Sequence, residues 1–155
     1  MTTRPTTVMV VDASVAVKWH LTDEEYGDQA IIVLERFAAG QLELVAPEHI
    51  RYEVLAAITV ATLGRQPRLT IEQGEEAIAE FLALGIGTVR DSDLIMAAYP
   101  LVHRYGCALY DVIYLAVAQR LKAPLITADN KLYRLVGDTP HILWIGDYPA
   151  GPEGL

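Results

Sequence analysis

Apolar positions fall in two rhythms along this chain. Short, mainly apolar stretches at Val8–Val11, Leu42–Ala46, Gly87–Arg90, Leu125–Thr127 and Ile142–Ile145 predict strands. Pro47 ends the second of them. Between them run longer segments of helical spacing. A short helix is expected from Ser14, followed by helices from about Asp23 to Ala39 and from about Glu48 to Leu63, where Gly64 suits a stop. Thr70 with Gln73 three residues later has the form of a capping box, opening a helix to about Leu84. Helices from about Ser92 to Tyr105, with a kink expected at Pro100, and over Tyr110–Leu121 and Asn130–Val136 complete the pattern.

Strands whose side chains do not alternate in polarity are covered on both faces, as in a parallel sheet under helices. Alternating strands and helices then predict an α/β fold, a three-layer α/β/α sandwich with a mainly parallel central sheet. In such sheets ligands collect outside the carboxyl ends of the strands.

Composition changes this picture little. The 155 residues are 52% hydrophobic and 21% charged, enough for one domain with its own core. A loose, turn-rich tail is expected from about Pro149. Cys107 is the single cysteine, so no internal disulfide is possible, and it reads as a small core residue rather than a nucleophile. The start lacks the apolar run of a secretory signal and no apolar stretch is long enough to span a bilayer, so a cytoplasmic protein is expected. The net charge of −8 argues against a generic nucleic-acid binder. A cation-binding site, locally clustered Lys and Arg, or a basic partner would each reconcile the two.

Four acids stand out. Asp12 ends the first strand, Asp129 follows the fourth, Asp111 begins a helix, and Glu53 lies within the helix after Pro47. Asp near a helix start is a favoured cap and suits the helix dipole, which accounts for each aspartate singly. Glu53 shares its helix face with Ile50, Ala56, Ala57 and Val60. A carboxylate there needs a partner, and either an Arg or Lys ion pair or a metal would serve. Taken together, acids at strand ends and helix starts converge on one sheet edge. Converging carboxylates repel one another unless a cation is present, and Mg²⁺ or Mn²⁺ prefers oxygen ligands of this kind. His20, His49, His103 and His141 are scattered and form no zinc spacing. No G-x-x-x-x-G-K-[ST] loop occurs, which excludes a P-loop nucleotidase.

Four blocks carry a resemblance. Val10-Val-Asp-Ala-Ser-Val-Ala-Val-Lys-Trp19, Pro47 followed by Glu53-Val-Leu55, Tyr110-Asp-Val-Ile-Tyr-Leu-Ala116 and Leu125-Ile-Thr-Ala-Asp129 occur in the order found in VapC-like PIN domains, which the chain resembles from Val8 to about Ile145. The resemblance implies a PIN-like sandwich and an acidic pocket for Mg²⁺ or Mn²⁺. It implies endonucleolytic cleavage of single-stranded RNA by water, leaving 5′-phosphate and 3′-hydroxyl ends. It carries Asp12, Glu53, Asp111 and Asp129 over as metal-binding and catalytic acids. Ser14 and Thr127 are carried over as hydroxyls that orient a water or a carboxylate, although both also suit helix caps. It implies the toxin of a toxin–antitoxin pair, a VapB-like antitoxin partner and a homodimer. One departure is Ala56, where many relatives carry Asn.

Other readings are a non-catalytic PIN-like binding module, a haloacid-dehalogenase-like phosphatase and a receiver-like signalling domain. The phosphatase wants Asp-x-Asp after the first strand, and Ser14 stands at its second position. The receiver wants an acidic pair at the first strand end and a Lys after the last, and neither is evident. Lys18, Arg104, Lys131 and Arg134 are candidate phosphate contacts that also read as solvated surface charges.

Overall fold

A computed structural model describes residues 6–139 and 141–148. The expected loose tail from Pro149 lies outside the described residues. Five strands form one sheet: β1 (Thr7–Val11), β2 (Leu42–Pro47), β3 (Gly87–Val89), β4 (Leu125–Thr127) and β5 (Ile142–Trp144). Their spatial order is β3-β2-β1-β4-β5, and every pairing is parallel. In β1, Met9, Val10 and Val11 are all buried. Successive strand residues point to opposite faces, so helices cover both sides of the sheet. The three-layer α/β architecture expected from the pattern is the one observed.

Seven helices connect and cover the strands: α1 (Ala13–Ala16), α2 (Gly27–Ala38), α3 (Ile50–Ala61), α4 (Ile71–Ala83), α5 (Ile95–Tyr105), α6 (Leu109–Leu121) and α7 (Asn130–Val136). The centrepiece is α6. Val112 through Ala118 are buried without a break, and the helix packs on β1, β2 and β4. A helix buried all round has no polar stripe, which is why its sequence is apolar at every position of two turns.

The helix boundaries differ from expectation in instructive ways. Helix α2 begins at Gly27 rather than Asp23, because Tyr26 sits in the left-handed region at φ 62° and breaks the helical path. The segment expected to enter helix at Ser92 first makes a 3₁₀ turn over Asp91–Asp93. The Thr70 capping box is present with both of its hydrogen bonds. Helix α5 runs through Pro100 as one element and ends on Gly106 at φ 66°, a left-handed stop that glycine adopts without steric cost.

The strand order places β1 at a reversal. The chain winds outward from β1 through β2 to β3, then crosses back to add β4 and β5 on β1's other side. In a doubly wound sheet this switch point leaves a crevice beyond the strand ends. Asp12 follows β1 and Asp129 follows β4, on the two strands that flank it.

Candidate active site

Asp12 is 4% exposed and caps α1, its carboxylate accepting the Val15 amide at 3.2 Å. Two hydroxyls complete its surroundings. Ser14 Oγ donates to Oδ1 and Thr127 Oγ1 donates to Oδ2, each at 2.5 Å. Burial nevertheless dominates and pushes the Asp12 carboxyl up from 3.8 to about 6, with Asp129 adding to the rise and the three hydrogen bonds opposing it. The site therefore holds a carboxylate that is costly to ionise and, among the described residues, has no Lys or Arg paired with it.

Thr127 is fully buried at the end of β4 and ties the two strand ends together. While donating to Asp12, it accepts the Asp129 amide at 3.0 Å. Ser14 likewise accepts the Ala128 amide at 2.9 Å. Neither hydroxyl caps a helix; Asp12 and Asp129 themselves do, Asp129 through the Leu132 amide at 3.1 Å. Capping and a role in the site are thus combined in the same two aspartates.

Asp111 lies in the first turn of α6, which Ala108 begins, and is half-buried. Its carboxyl is raised by burial, then by Asp129 and Glu53, against weaker opposition from Lys131 and His49. Glu53 is reached from a third direction. The Tyr114 hydroxyl, from the buried face of α6, donates to its Oε1 at 2.9 Å. Burial, then Glu53 and Asp12, hold the Tyr114 hydroxyl far above its ordinary value, so it remains a donor. These links join all four predicted acids. Asp129 acts on Asp12 and Asp111, Glu53 acts on Asp111, and Tyr114 feels Glu53 and Asp12.

Among the described residues no Arg or Lys pairs with Glu53, so that expected partner is corrected by the structure, as is the apolar face. Its side chain is 38% exposed, because Ala56 and Val60 face solvent while α3 buries Ile50, Val54 and Ile58. Its cationic neighbour is His49, one turn earlier, whose Nε2 lies 2.8 Å from Oε1. That approach is off the ring N–H axis, making it a close charge contact rather than an aligned hydrogen bond. His49 Nδ1 meets Asp91 at 3.0 Å, and the ring packs edge-on against Tyr114. Burial alone would lower the His49 value, but contact with Glu53 and Asp91 outweighs it and the net shift is upward. The exposed Ala56 lends Glu53 no polar support; Tyr114 and His49 supply it.

Sequence reasoning passed over His49, Tyr114 and Asp91. His49 with Glu53 has a four-residue helical spacing that places both on one face, and that signal was available. Asp91 and Tyr114 meet this face only through the fold. Lys18, a candidate surface charge, is instead buried and paired with Glu24 at 3.3 Å. Cys107 is buried, its thiol raised chiefly by burial and then by Asp111 and Asp129, as a packing residue should be.

The donors are carboxylates, of which Asp12 and Asp111 have raised proton affinities, and oxygen donors of this kind suit a hard divalent cation. Among the described residues, no three His, Cys, Asp or Glu side chains stand close enough to hold an ion together. One or two carboxylates with retained waters is a sufficient set for Mg²⁺.

Three solved structures share the fold. A "Toxin-antitoxin complex from Klebsiella pneumoniae" matches at 18% identity and TM-score 0.61, over 87% of this chain and 95% of that one. VapBC2 from Rickettsia felis, bound to a DNA fragment from their promoter, matches at 13% identity and TM-score 0.59, over 89% and 97%. PAE2754 from Pyrobaculum aerophilum matches at 19% identity and TM-score 0.63, over 90% and 85%. No curated protein matches the sequence significantly. The family model of the PIN domain matches residues 9–137, which span β1 to the end of α7 and all four acids. The chain belongs to the PIN-domain family.

Proposed function

We propose that this protein is a Mg²⁺- or Mn²⁺-dependent endoribonuclease that cleaves single-stranded RNA with water, and that it is the toxin of a toxin–antitoxin pair. The observation that carries the reading is the placement of Asp12 and Asp129 after neighbouring strands at the switch point of the sheet, where Thr127 ties the two strand ends together. Asp12 and Asp111, whose carboxyls are raised chiefly by burial, are groups that a nearby cation would favour in the ionised form.

One or two of Asp12, Asp111 and Asp129 would hold the cation, with retained waters completing its coordination. When bound, it would neutralise phosphate charge and lower the pKa of a coordinated water. Ser14 and Thr127 hold Asp12 in place. Glu53, oriented by Tyr114 and His49, is the acid placed to accept a proton from the attacking water. Supporting the antitoxin partner, α3 and α4 expose Tyr52, Leu55 and Leu82 around a groove of about 220 Å³. Supporting a homodimer, Ile95, Met96 and Tyr99 stand exposed on α5. No described helix is long and apolar enough to cross a membrane. The protein's place in the cytoplasm is part of the toxin reading.

One observation favours the alternative of a non-catalytic binding module: both Asp12 oxygens already accept hydroxyls. Cleavage of a pooled single-stranded RNA library, read by sequencing of 5′-phosphate ends, separates the two. The wild type should cut in Mn²⁺ and Asp111→Asn should not. Full cleavage by a folded Asp111→Asn protein would overturn the assignment.

A further inference from the structure

Beside the carboxylates runs a second, differently built groove of about 420 Å³. It is lined by Lys18, Tyr26, Asn130, Tyr133 and Trp144, with Glu25 among them. Its wall is the Ala128–Asn130 segment that flanks Asp129, and the Ala128 amide is held by Ser14. The groove and the acidic site therefore share one loop.

Three features mark the aromatic side of this groove as constructed. Trp144 stands edge-on to Tyr26, with ring centroids 5.6 Å apart, and tilted to Tyr133, at 5.5 Å. All three rings are only partly buried. Tyr26 holds φ 62°, a conformation that bulky L-residues rarely adopt. Gly146 lets the backbone pass against the rings: a Cβ there would lie 2.6 Å from Trp144 Nε1 and 3.0 Å from Tyr26 Cε1. Among the described residues, the Tyr26 and Tyr133 hydroxyls and the Trp144 indole N–H make no hydrogen bond to protein, and none of them is buried from solvent. The groove thus offers ring surface with free polar edges.

We propose that this groove is a stacking subsite for an unpaired base of the single-stranded strand whose phosphate reaches the carboxylates. The inference rests on the nuclease reading above. Stacking on aromatic rings is uncharged and tolerates any base. Counterion release contributes little in this groove, because its lining cation Lys18 is already paired with Glu24 and Glu25 stands beside it. Ring stacking is the source of affinity that an acidic surface leaves open.

The test is a titration of the full chain in EDTA with single-stranded heptaadenylate RNA, read by indole fluorescence. Trp19 is buried with its indole bonded to Ala30, so quenching reports Trp144. Heptaadenylate should quench the wild type. In Tyr133→Leu and Tyr26→Leu, binding should weaken about tenfold, from the worth of one stacked base. A strand of the same length with abasic sites should bind at least as weakly as these variants bind the intact one. Melting temperature and the Mn²⁺ isotherm should be unchanged in Tyr133→Leu, which separates ring loss from misfolding. Absence of quenching, equal binding by Tyr133→Leu, or equal binding of the abasic strand would overturn the subsite. If Mn²⁺ binds and the rings prove irrelevant, the groove fails and the nuclease stands. If Mn²⁺ does not bind while heptaadenylate still needs the rings, the nuclease fails and the groove stands.

Discussion

Replacing Asp12 with Asn should make the metal-free protein more stable at neutral pH. Asp12 is buried and its carboxyl is raised from 3.8 to about 6. Each tenfold change in proton affinity is worth about 1.4 kcal/mol, so keeping this group ionised costs the metal-free fold about 3 kcal/mol. Above the folded value both folded and unfolded chains are ionised and the cost is complete. Between the folded and unfolded values only the folded chain carries the proton, so the cost shrinks as pH falls. Wild-type stability should therefore decline as pH rises from about 4 to about 6. Asn keeps the shape and one acceptor, and Thr127 Oγ1 can rotate to accept from the new amide. We expect Asp12→Asn to gain about 1–3 kcal/mol at pH above 7, or about 2–4 °C in melting temperature per kcal/mol. Near pH 4 the gain should vanish. Saturating Mn²⁺ should reverse the order, because the wild type alone gains about 2.7 kcal/mol at a hundredfold excess over Kd. Thermal denaturation across pH, with EDTA or Mn²⁺, measures all three. A metal-free Asp12→Asn protein that is less stable than wild type at neutral pH would refute the reasoning.

Further outcomes follow from the same contacts. Thr127→Val removes the donor to Asp12 and the acceptor of the Asp129 amide. It should lower stability by about 1–3 kcal/mol in urea unfolding and raise the Asp12 titration midpoint further, as read by carboxyl NMR. His49 is raised above its ordinary 6.5 by Glu53 and Asp91 in opposition to burial. Its contribution is complete below the unfolded value and is lost as pH rises through the higher folded one. His49→Gln should therefore flatten the stability profile in that window, and a profile identical to the wild type would show that His49 does not titrate as argued. Asp111→Asn should remove cleavage while leaving circular dichroism unchanged.

Much of this was written in local sequence. The strands announce themselves as unbroken apolar runs because both sheet faces are covered, and the Thr70 capping box names its own helix start. Asp12 and Asp129 could be placed at one edge because each follows a strand, and strand ends share an edge in any parallel sheet. What stayed hidden is what the fold brings from a distance. Tyr114 reads as one more apolar position of a buried helix, yet its hydroxyl reaches 61 residues back to Glu53. Asp91 meets His49 across 42 residues. Lys18 reads as a surface charge because nothing local reveals its burial beside Glu24. Tyr26 violates the preference of its own side chain, so propensity placed a helix where the chain turns.

The most direct measurement is Mn²⁺ binding by calorimetry to the wild type, Asp12→Asn and Asp111→Asn. The account predicts that the wild type binds, with proton release near pH 6 as the raised Asp12 carboxyl ionises, and that both variants lose binding at least tenfold. A wild type that takes no Mn²⁺ at millimolar concentration, or variants that bind it unchanged, would contradict the proposal that Asp12 and Asp111 belong to one metal site.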